Sequence, residues 1–329
     1  MKKCGKWIDL LGQCRLNYEK ILKVKEKILI LGGNGFIGLH LIKKLRNLGF
    51  ECFSLSLKKV DEKNKENNIH YLNADISDFS ELSKVVGQKK YDYIVNLSGY
   101  IDHRNLSNGG LSVVKTHFGG LLNLLRIIDL DYVKKIVQIG SSDEYGNINS
   151  PQNEDMKEEP ISPYSFSKLA CTNLLRMLYV SEKLPVVILR LFLVYGEGQN
   201  FNRFLPQIIK GCLKNESFPV SEGNQIRDFC HVSDIVDGIV ATIKSDQVNG
   251  HILNLASGKP IKIKNVIRKV VEIVGSGNPQ FGKIKYRSKE NLSLYADINK
   301  AQKLISWEPK IDFDLGLKKT INYYTKIIK

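Results

Sequence analysis

The stretch Ile28–Leu45 reads ILILGGNGFIGLHLIKKL. An apolar run enters a turn holding Gly32, Gly35 and Gly38, and an amphipathic run leaves it. The apolar run is short enough for a buried strand, and the second run carries the 3.6-residue period of a helix. A strand that opens into a helix through glycines lets the backbone approach a bound group closely. It also aims the helix amides at negative charge. On that reading Gly32 makes the tight turn, Gly35 permits the approach and Gly38 lets the helix pack on the strand. Phe36 and Ile37 open the helix.

Further along, strand-like runs recur at Cys52–Leu57, Ile69–Leu72, Tyr93–Leu97, Lys135–Ile139 and Val186–Leu191. Helical patterns lie between them at Phe36–Leu48, Ser80–Val86, Leu111–Leu130 and Pro163–Lys183. This alternation predicts an α/β fold, a doubly wound parallel sheet of the Rossmann type with helices on both faces. Past Gly196 the pattern becomes irregular, although VSDIVDGIVATI still reads as a helix and HILNLA as a strand. Residues 27–196 plus 229–256 are therefore expected to form a dinucleotide-binding domain. Residues 197–228 plus 257–329 are expected to form a smaller, discontinuous lobe for the substrate. Residues 1–26 are read as an N-terminal extension with an amphipathic helix that packs on the body or on a partner subunit.

In such a sheet, ligands bind at the carboxyl ends of the strands. IHYLNADISD brings Asp75 and Ile76 to that edge, and YDYIVNLSG brings Leu97, Ser98 and Gly99. Asp75 suits a hydrogen bond from an adenine amino group, and it equally suits a turn. The second strand runs into Ser56, Lys58 and Lys59, with Asp61 nearby. A small polar residue followed by basic ones suits a 2′-phosphate, so NADP is preferred to NAD as cofactor.

ISPYSFSK starts a helix that Ser162 caps and Pro163 opens. Tyr164 and Lys168 then share a face. An ammonium beside a phenol favours the phenolate and gives an acid/base able to work near neutral pH. The strand ending in IGSSDEYG supplies Ser141 and Ser142 for a substrate oxygen. Asp143 and Glu144 follow, as a second acid/base pair or as turn residues. No G-x-S-x-G elbow supports a hydrolase.

Together GGNGFIG, GSSDEYG, SPYSFSK and RDFCHVSDI resemble the extended short-chain dehydrogenase/reductase family, specifically its nucleotide-sugar-modifying members. The likeness runs from about Lys27 to the closing YADINKAQKLISWEPKIDFDLGL. It implies hydride exchange between a nicotinamide and a sugar carbon, usually C4. Tyr164 then moves the hydroxyl proton, Lys168 holds the nicotinamide ribose and Ser142 completes the site, with Ser141 as the alternative. Arg227 and Arg287 match positions that grip the nucleotide diphosphate, and Asn202 and Arg203 fall in the same substrate region. The chain departs from the family pattern at His117, where relatives place an asparagine, and at Leu193 and Glu197 in LVYGEGQ.

The shortened GSSDEYG and the segment GNQIRDF are most similar to those of 4-ketoreductases acting on nucleoside-diphosphate 4-keto-6-deoxyhexoses, enzymes of deoxysugar and surface-polysaccharide synthesis. A 4,6-dehydratase or a 4-epimerase with tightly bound NAD is the alternative. From another class, a non-catalytic dinucleotide-binding or RNA-binding protein remains open. The resemblance also implies a homodimer formed through the Tyr164–Lys168 helix, whose CTNLLRMLYV is apolar on more than one face.

Composition narrows the classes. The 329 residues are 43% hydrophobic and 25% charged, as in a globular protein with a sizeable core. No apolar run reaches the ~18 residues of a membrane span, so no stable membrane insertion is expected. The net charge of +15 is spread along the chain without an Arg-rich block, which suits a solvated basic surface better than nucleic-acid binding. Six scattered cysteines, with no C-x-x-C pair, suit neither a metal site nor a disulfide framework and fit a reducing cytoplasm.

Overall fold

A computed structural model describes residues 25–60, 62, 65–286 and 291–328. The expected N-terminal helix, with Cys4 and Cys14, and also Asp61 and Arg287, lie outside the described residues.

Seven parallel strands form the main sheet: β1 (Lys27–Leu31), β2 (Glu51–Ser56), β3 (Ile69–Asn73), β4 (Tyr93–Asn96), β5 (Lys135–Ser141), β6 (Val186–Leu191) and β10 (Ile252–Leu255). Their order is β10-β6-β5-β4-β1-β2-β3. This is the doubly wound architecture read from the sequence. The winding reverses between β1 and β4, and there the carboxyl ends of the strands leave a crevice.

The central strands are mostly apolar and buried because both faces are covered, whereas the edge strand β3 is partly exposed. Along β1, Ile28 and Ile30 join one core with Val95, Val137 and helices Phe36–Asn47 and Val232–Lys244. Leu29 and Leu31 point the other way, into a second core with Ile94, Ile136, Leu124 and Leu175. Alternate residues of one strand thus anchor helices on opposite sides.

Past β6 the chain builds a second layer. β7 (Leu193–Tyr195), β9 (Ile226–His231), β11 (Pro260–Lys262) and β13 (Ser293–Leu294) form a small mixed sheet. Helices Phe204–Leu213, Ile263–Val274 and Phe313–Ile328 close a third core around Leu205, Phe229, Val266 and Leu317. The segment HILNLA returns to the main sheet, where β10 pairs in parallel with β6.

Two carboxylates of RDFCHVSDI stitch these segments together. Asp228 is buried and accepts the amides of Ser257 (2.7 Å), Gly258 (2.9 Å) and Ala296 (3.3 Å). Asp234 accepts the amides of Lys310 (3.1 Å) and Ile311 (3.0 Å). Each satisfies backbone donors that would otherwise be stranded between elements.

One predicted helix differs in its winding. Leu111–Leu130 is read from the sequence as regular, but the structure has α-helix at Gly110–Val114, a π turn at Lys115–Gly119 and α-helix again at Gly120–Ile127. The extra residue turns His117 inward, where it is buried beneath the crevice. π turns of this kind concentrate at functional sites.

Candidate active site

The glycine turn lies at the carboxyl end of β1. Gly32 takes φ +77°, and its amide donates to Leu55 O at 2.7 Å. At Gly38 the helix lies so close to the turn that a Cβ would sit 2.5 Å from the carbonyl oxygens of both Gly32 and Gly33. Gly35 occupies the N-cap position of the Phe36–Asn47 helix. No side chain caps that end, and its first turn holds no acidic residue. The first amides, at Phe36, Ile37 and Gly38, are thus left to an outside acceptor, and the helix dipole favours an anion there. These residues fit a dinucleotide's pyrophosphate.

Further cofactor candidates line the same edge. Asp75 Oδ1 accepts from the amide (2.8 Å) and hydroxyl (2.7 Å) of Ser77, an Asx turn that fixes the carboxylate. Ile76 is buried against Gly120. The Ser98 amide donates to Asn96 Oδ1 at 3.1 Å, which fixes the Leu97–Gly99 turn above the crevice. Ser56 Oγ accepts the Asn34 amide at 3.0 Å, and the Lys58 carbonyl accepts from Asn34 Nδ2 at 3.3 Å. Ser56 and the backbone of Lys58 therefore brace the glycine turn, and the Lys58 side chain is exposed.

Tyr164 and Lys168 rise from the first turns of helix Pro163–Glu182, which Ser162 caps through the Ser165 amide at 3.1 Å. Both are buried. The Ser141 hydroxyl, at the end of β5, lies beside the Tyr164 phenol and favours its ionised form. The Asp143 amide donates to Ser141 Oγ at 3.1 Å and so orients that hydroxyl. Ser141, rather than the Ser142 favoured from the sequence, is thus the serine on the tyrosine. The offset arises because Ser142 opens the 3₁₀ turn Ser142–Tyr145, leaving Ser141 as the last strand residue and the cap of that turn.

Of its two sequence readings, Glu144 takes that of a turn residue, in the 3₁₀ turn Ser142–Tyr145. It is fully buried and ion-paired to Arg190 at 3.0 Å, so it does not reach a substrate. Asp143 stays in the cleft: its carboxylate lies 3.6 Å from His103 Nε2, and it acts electrostatically on Tyr164. Only one member of the Asp-Glu pair therefore has access to bound molecules.

The Tyr164 ring meets two histidine rings edge-on, His103 at 5.5 Å and His117 at 5.4 Å between centroids. His117 donates from Nε2 to the Tyr100 carbonyl, 2.9 Å away. Burial, aided by the nearby Lys168 charge, holds His117 down to about 3, so its ring is neutral at working pH. His103 was not singled out from the sequence, since a lone histidine in a loop carries no periodic signal.

Burial pushes Tyr164 well above its ordinary value. Asp143 adds to this, and the Ser141 hydroxyl opposes it. Lys168 Nζ donates to the Ile139 carbonyl at 2.9 Å and lies 6.0 Å from the phenol ring centroid. Burial also makes its ammonium easier to deprotonate, with Cys171 and Glu144 opposing. The Ser141 hydroxyl and Arg203 favour the phenolate.

On the opposite wall, Arg203 is half-buried at the start of helix Phe204–Leu213, close enough to act on Tyr164. Asn202 beside it is exposed, and its amide donates to Asn200 Oδ1 at 3.0 Å. Arg227 is half-buried on β9 and donates from Nη1 to its neighbour's carbonyl at 2.9 Å. Leu193 lies in β7, half-buried. Glu197 follows that strand, and its carboxylate lies 3.2 Å from buried His231. His231 holds Glu197 down to about 2.

Among the described residues, no helix is long and apolar enough to cross a membrane. The four described cysteines are free and buried.

A model of the NAD dependent epimerase/dehydratase family matches residues 28–256. Over 310 residues the chain is 28% identical to the UDP-glucuronate 4-epimerase of Thermodesulfobacterium geofontis, covering 90% of this chain and 95% of that protein. It is 26% identical over 323 residues to a UDP-N-acetyl-alpha-D-glucosaminuronate decarboxylase of Bacillus cytotoxicus, covering 92% and 99%. Among solved structures, the UDP-glucuronic acid 4-epimerase of Bacillus cereus, in complex with UDP-glucuronic acid and NAD, superposes with a TM-score of 0.82 at 25% identity, over 92% of this chain and 99% of that one. These relatives are an epimerase, a decarboxylase and a second epimerase. The 4-ketoreductase and the NADP preference read from the sequence find no support in them.

Proposed function

The chain belongs to the NAD dependent epimerase/dehydratase family, as an enzyme of the extended short-chain dehydrogenase/reductase type, and from that premise we propose that it oxidises and re-reduces C4 of a nucleotide-linked hexose with NAD. The observation that carries this reading is the placement of Ser141 beside the buried Tyr164 phenol, at the same carboxyl edge of the sheet as the uncapped glycine-turn helix. Bound NAD supplies the hydride acceptor at C4. Tyr164 takes the proton of the C4 hydroxyl, and Ser141 orients that oxygen through its own hydroxyl. Arg203, and Arg227 behind it, suit the anionic part of a UDP-linked sugar, since guanidinium groups pair with phosphate or carboxylate oxygens. Asp143, with His103 against it, is a second proton-transfer group within the cleft. Such a group serves an epimerase, a dehydratase or a decarboxylase, each of which regenerates its cofactor.

A net 4-ketoreductase is the second reading. It rests on Ser56 and Lys58 at the end of β2, where the described residues from Ser56 to Val60 hold no carboxylate for a ribose 2′-hydroxyl. Purified protein separates the two. NAD that co-purifies, together with conversion of UDP-glucuronic acid or UDP-glucose without added cofactor, supports the internal cycle. Stoichiometric consumption of NADPH by a 4-keto nucleotide sugar, with no resident NAD, replaces it by the reductase. If neither is seen, C4 chemistry is excluded.

We propose further that the protein is a cytoplasmic homodimer. Exposed Phe166, Met177 and Val180 run along helix Pro163–Glu182, and Leu111 and Leu122 are exposed on its neighbouring helical segment. An apolar face of this kind suits a second copy. A monomeric mass by light scattering would remove the dimer while leaving the chemistry untouched.

A further inference from the structure

Beneath Ser141 lies a buried charge cluster that the proposed chemistry does not use. Glu144 and Arg190 are both 0% exposed. Glu144 Oε1 accepts the backbone amide of Ser141 at 2.8 Å. Its Oε2 accepts from Thr172 Oγ1 at 2.8 Å and from Arg190 Nε at 3.0 Å. Arg190 also binds Glu158 at 2.6 Å, and its guanidinium covers the Tyr145 ring at 4.4 Å.

These bonds tie three elements to one carboxylate. Ser141 is the end of β5, Arg190 belongs to β6, and Thr172 lies one turn beyond Lys168 on its helix. The carboxylate crowds the strand: a Cβ at Gly140 would come within 2.5 Å of Glu144 Oε1 and 3.3 Å of the Arg190 side chain. Only glycine leaves room for it there. Fully buried Arg190 is thus paired with fully buried Glu144 and half-buried Glu158, and buried Lys168 lies near enough to feel the Glu144 charge.

We propose that the buried Glu144–Arg190 ion pair is the positioning element of the active site, holding the Ser141 backbone against Tyr164 and supplying the counter-charge to Lys168. This rests on the proposed C4 chemistry only for its kinetic readouts. Glu144 touches neither substrate nor cofactor, so it acts through Ser141 and Lys168. A buried pair of this kind is weak as a source of stability, because desolvation offsets the attraction. A geometric role accounts better for its bonds to three separate elements. The charged or titratable groups facing Tyr164 and Lys168 are Asp143, Glu144, Arg203, His103, His117 and Cys171.

The test is Glu144→Gln, with Thr172→Val as the milder variant that removes one bond and keeps the charge. Glu144→Gln is expected to lower kcat by ~10–100-fold, the scale of a small misplacement at a reacting centre, with KM and NAD affinity within about 2-fold of wild type. Thr172→Val is expected to lower kcat by about 2–5-fold. Loss of the Glu144 charge makes both Tyr164 and Lys168 give up a proton more readily, so the acid limb of the kcat profile moves to lower pH. Glu144→Asp, which keeps the charge, is expected to restore that limb. Independently of turnover, crystal structures of the wild type and of Glu144→Gln are expected to differ in the position of Ser141, with its hydroxyl displaced from the Tyr164 phenol in the variant. Wild-type kcat and pH profile in a folded Glu144→Gln, or an unmoved Ser141, would overturn the proposal. So would equal losses in kcat and cofactor affinity. If the wild-type protein turns over no nucleotide sugar, the C4 reading fails, and the position of Ser141 in the variant still judges the clamp.

Discussion

The glycine turn after β1 and the end of β5 lie at the same carboxyl edge of the main sheet, with β4 between them, and they are built by opposite means. The glycine turn works through main-chain amides: its helix has no side-chain cap, and Gly38 keeps the backbone close. The end of β5 works through side chains, with Ser141 on Tyr164 above and a fully buried ion pair below. Main-chain recognition needs small residues at set spacings, whereas buried charge needs partners drawn from distant parts of the chain.

Tyr164→Phe tests this contrast with the largest expected effect. Turnover should fall by about 10²–10⁴-fold while NAD still binds at the glycine turn, as read by kcat and by fluorescence titration. A parallel loss of NAD affinity would mean that the two walls are not separable. Gly38→Ala attacks the other wall. Its Cβ would strike two carbonyl oxygens, so a loss of ~1–3 kcal/mol in unfolding free energy and at least tenfold weaker NAD binding are expected. Unchanged affinity would show that the helix can withdraw from the strand without cost to the pyrophosphate.

The Glu197–His231 contact closes the cleft from the second layer, and its weight shows in acid. Glu197 is held from an ordinary 4.5 down to about 2, so its contribution is present above about pH 4.5 and is lost as pH falls through about 2. Wild type should exceed Glu197→Gln by ~1–2 kcal/mol near neutrality, a figure reduced for partial solvent screening, and the gap should close in acid. Denaturant unfolding at several pH values measures it, and a gap independent of pH would deny the contribution of the Glu197 carboxylate. The smallest effect is expected from Lys58→Ala with Lys59→Ala. NAD affinity should change less than about 2-fold, because the backbone rather than the lysine side chain braces the turn. A large selective loss of NADP binding would revive the reductase reading.

The parallel sheet, its strand spans within a residue or two, and the Tyr164–Lys168 helix were legible in the sequence. Periodicity, glycine spacing and helix caps are local signals, and local geometry enforces them. Asp143 and Glu144 are neighbours in the same motif, and the local signal that separates them is the S-x-x-E capping box in which Glu144 accepts the Ser141 amide. The approach of Arg190 and Thr172 then holds Glu144 in the core and leaves Asp143 in the cleft. The choice of Ser141 over Ser142 depends likewise on where β5 ends and its 3₁₀ turn begins.

The sequence by itself determined the order of strands and helices, the anion-ready turn and the residue types able to move a proton, because each is set by neighbours within a few positions along the chain. Tertiary structure alone decided which serine meets the phenol, that Arg190 and Thr172 hold Glu144 in the core, and that both His103 and His117 flank the Tyr164 ring. Burial and charge pairing join residues far apart in sequence, and their energies exist only once those residues share a dry interior.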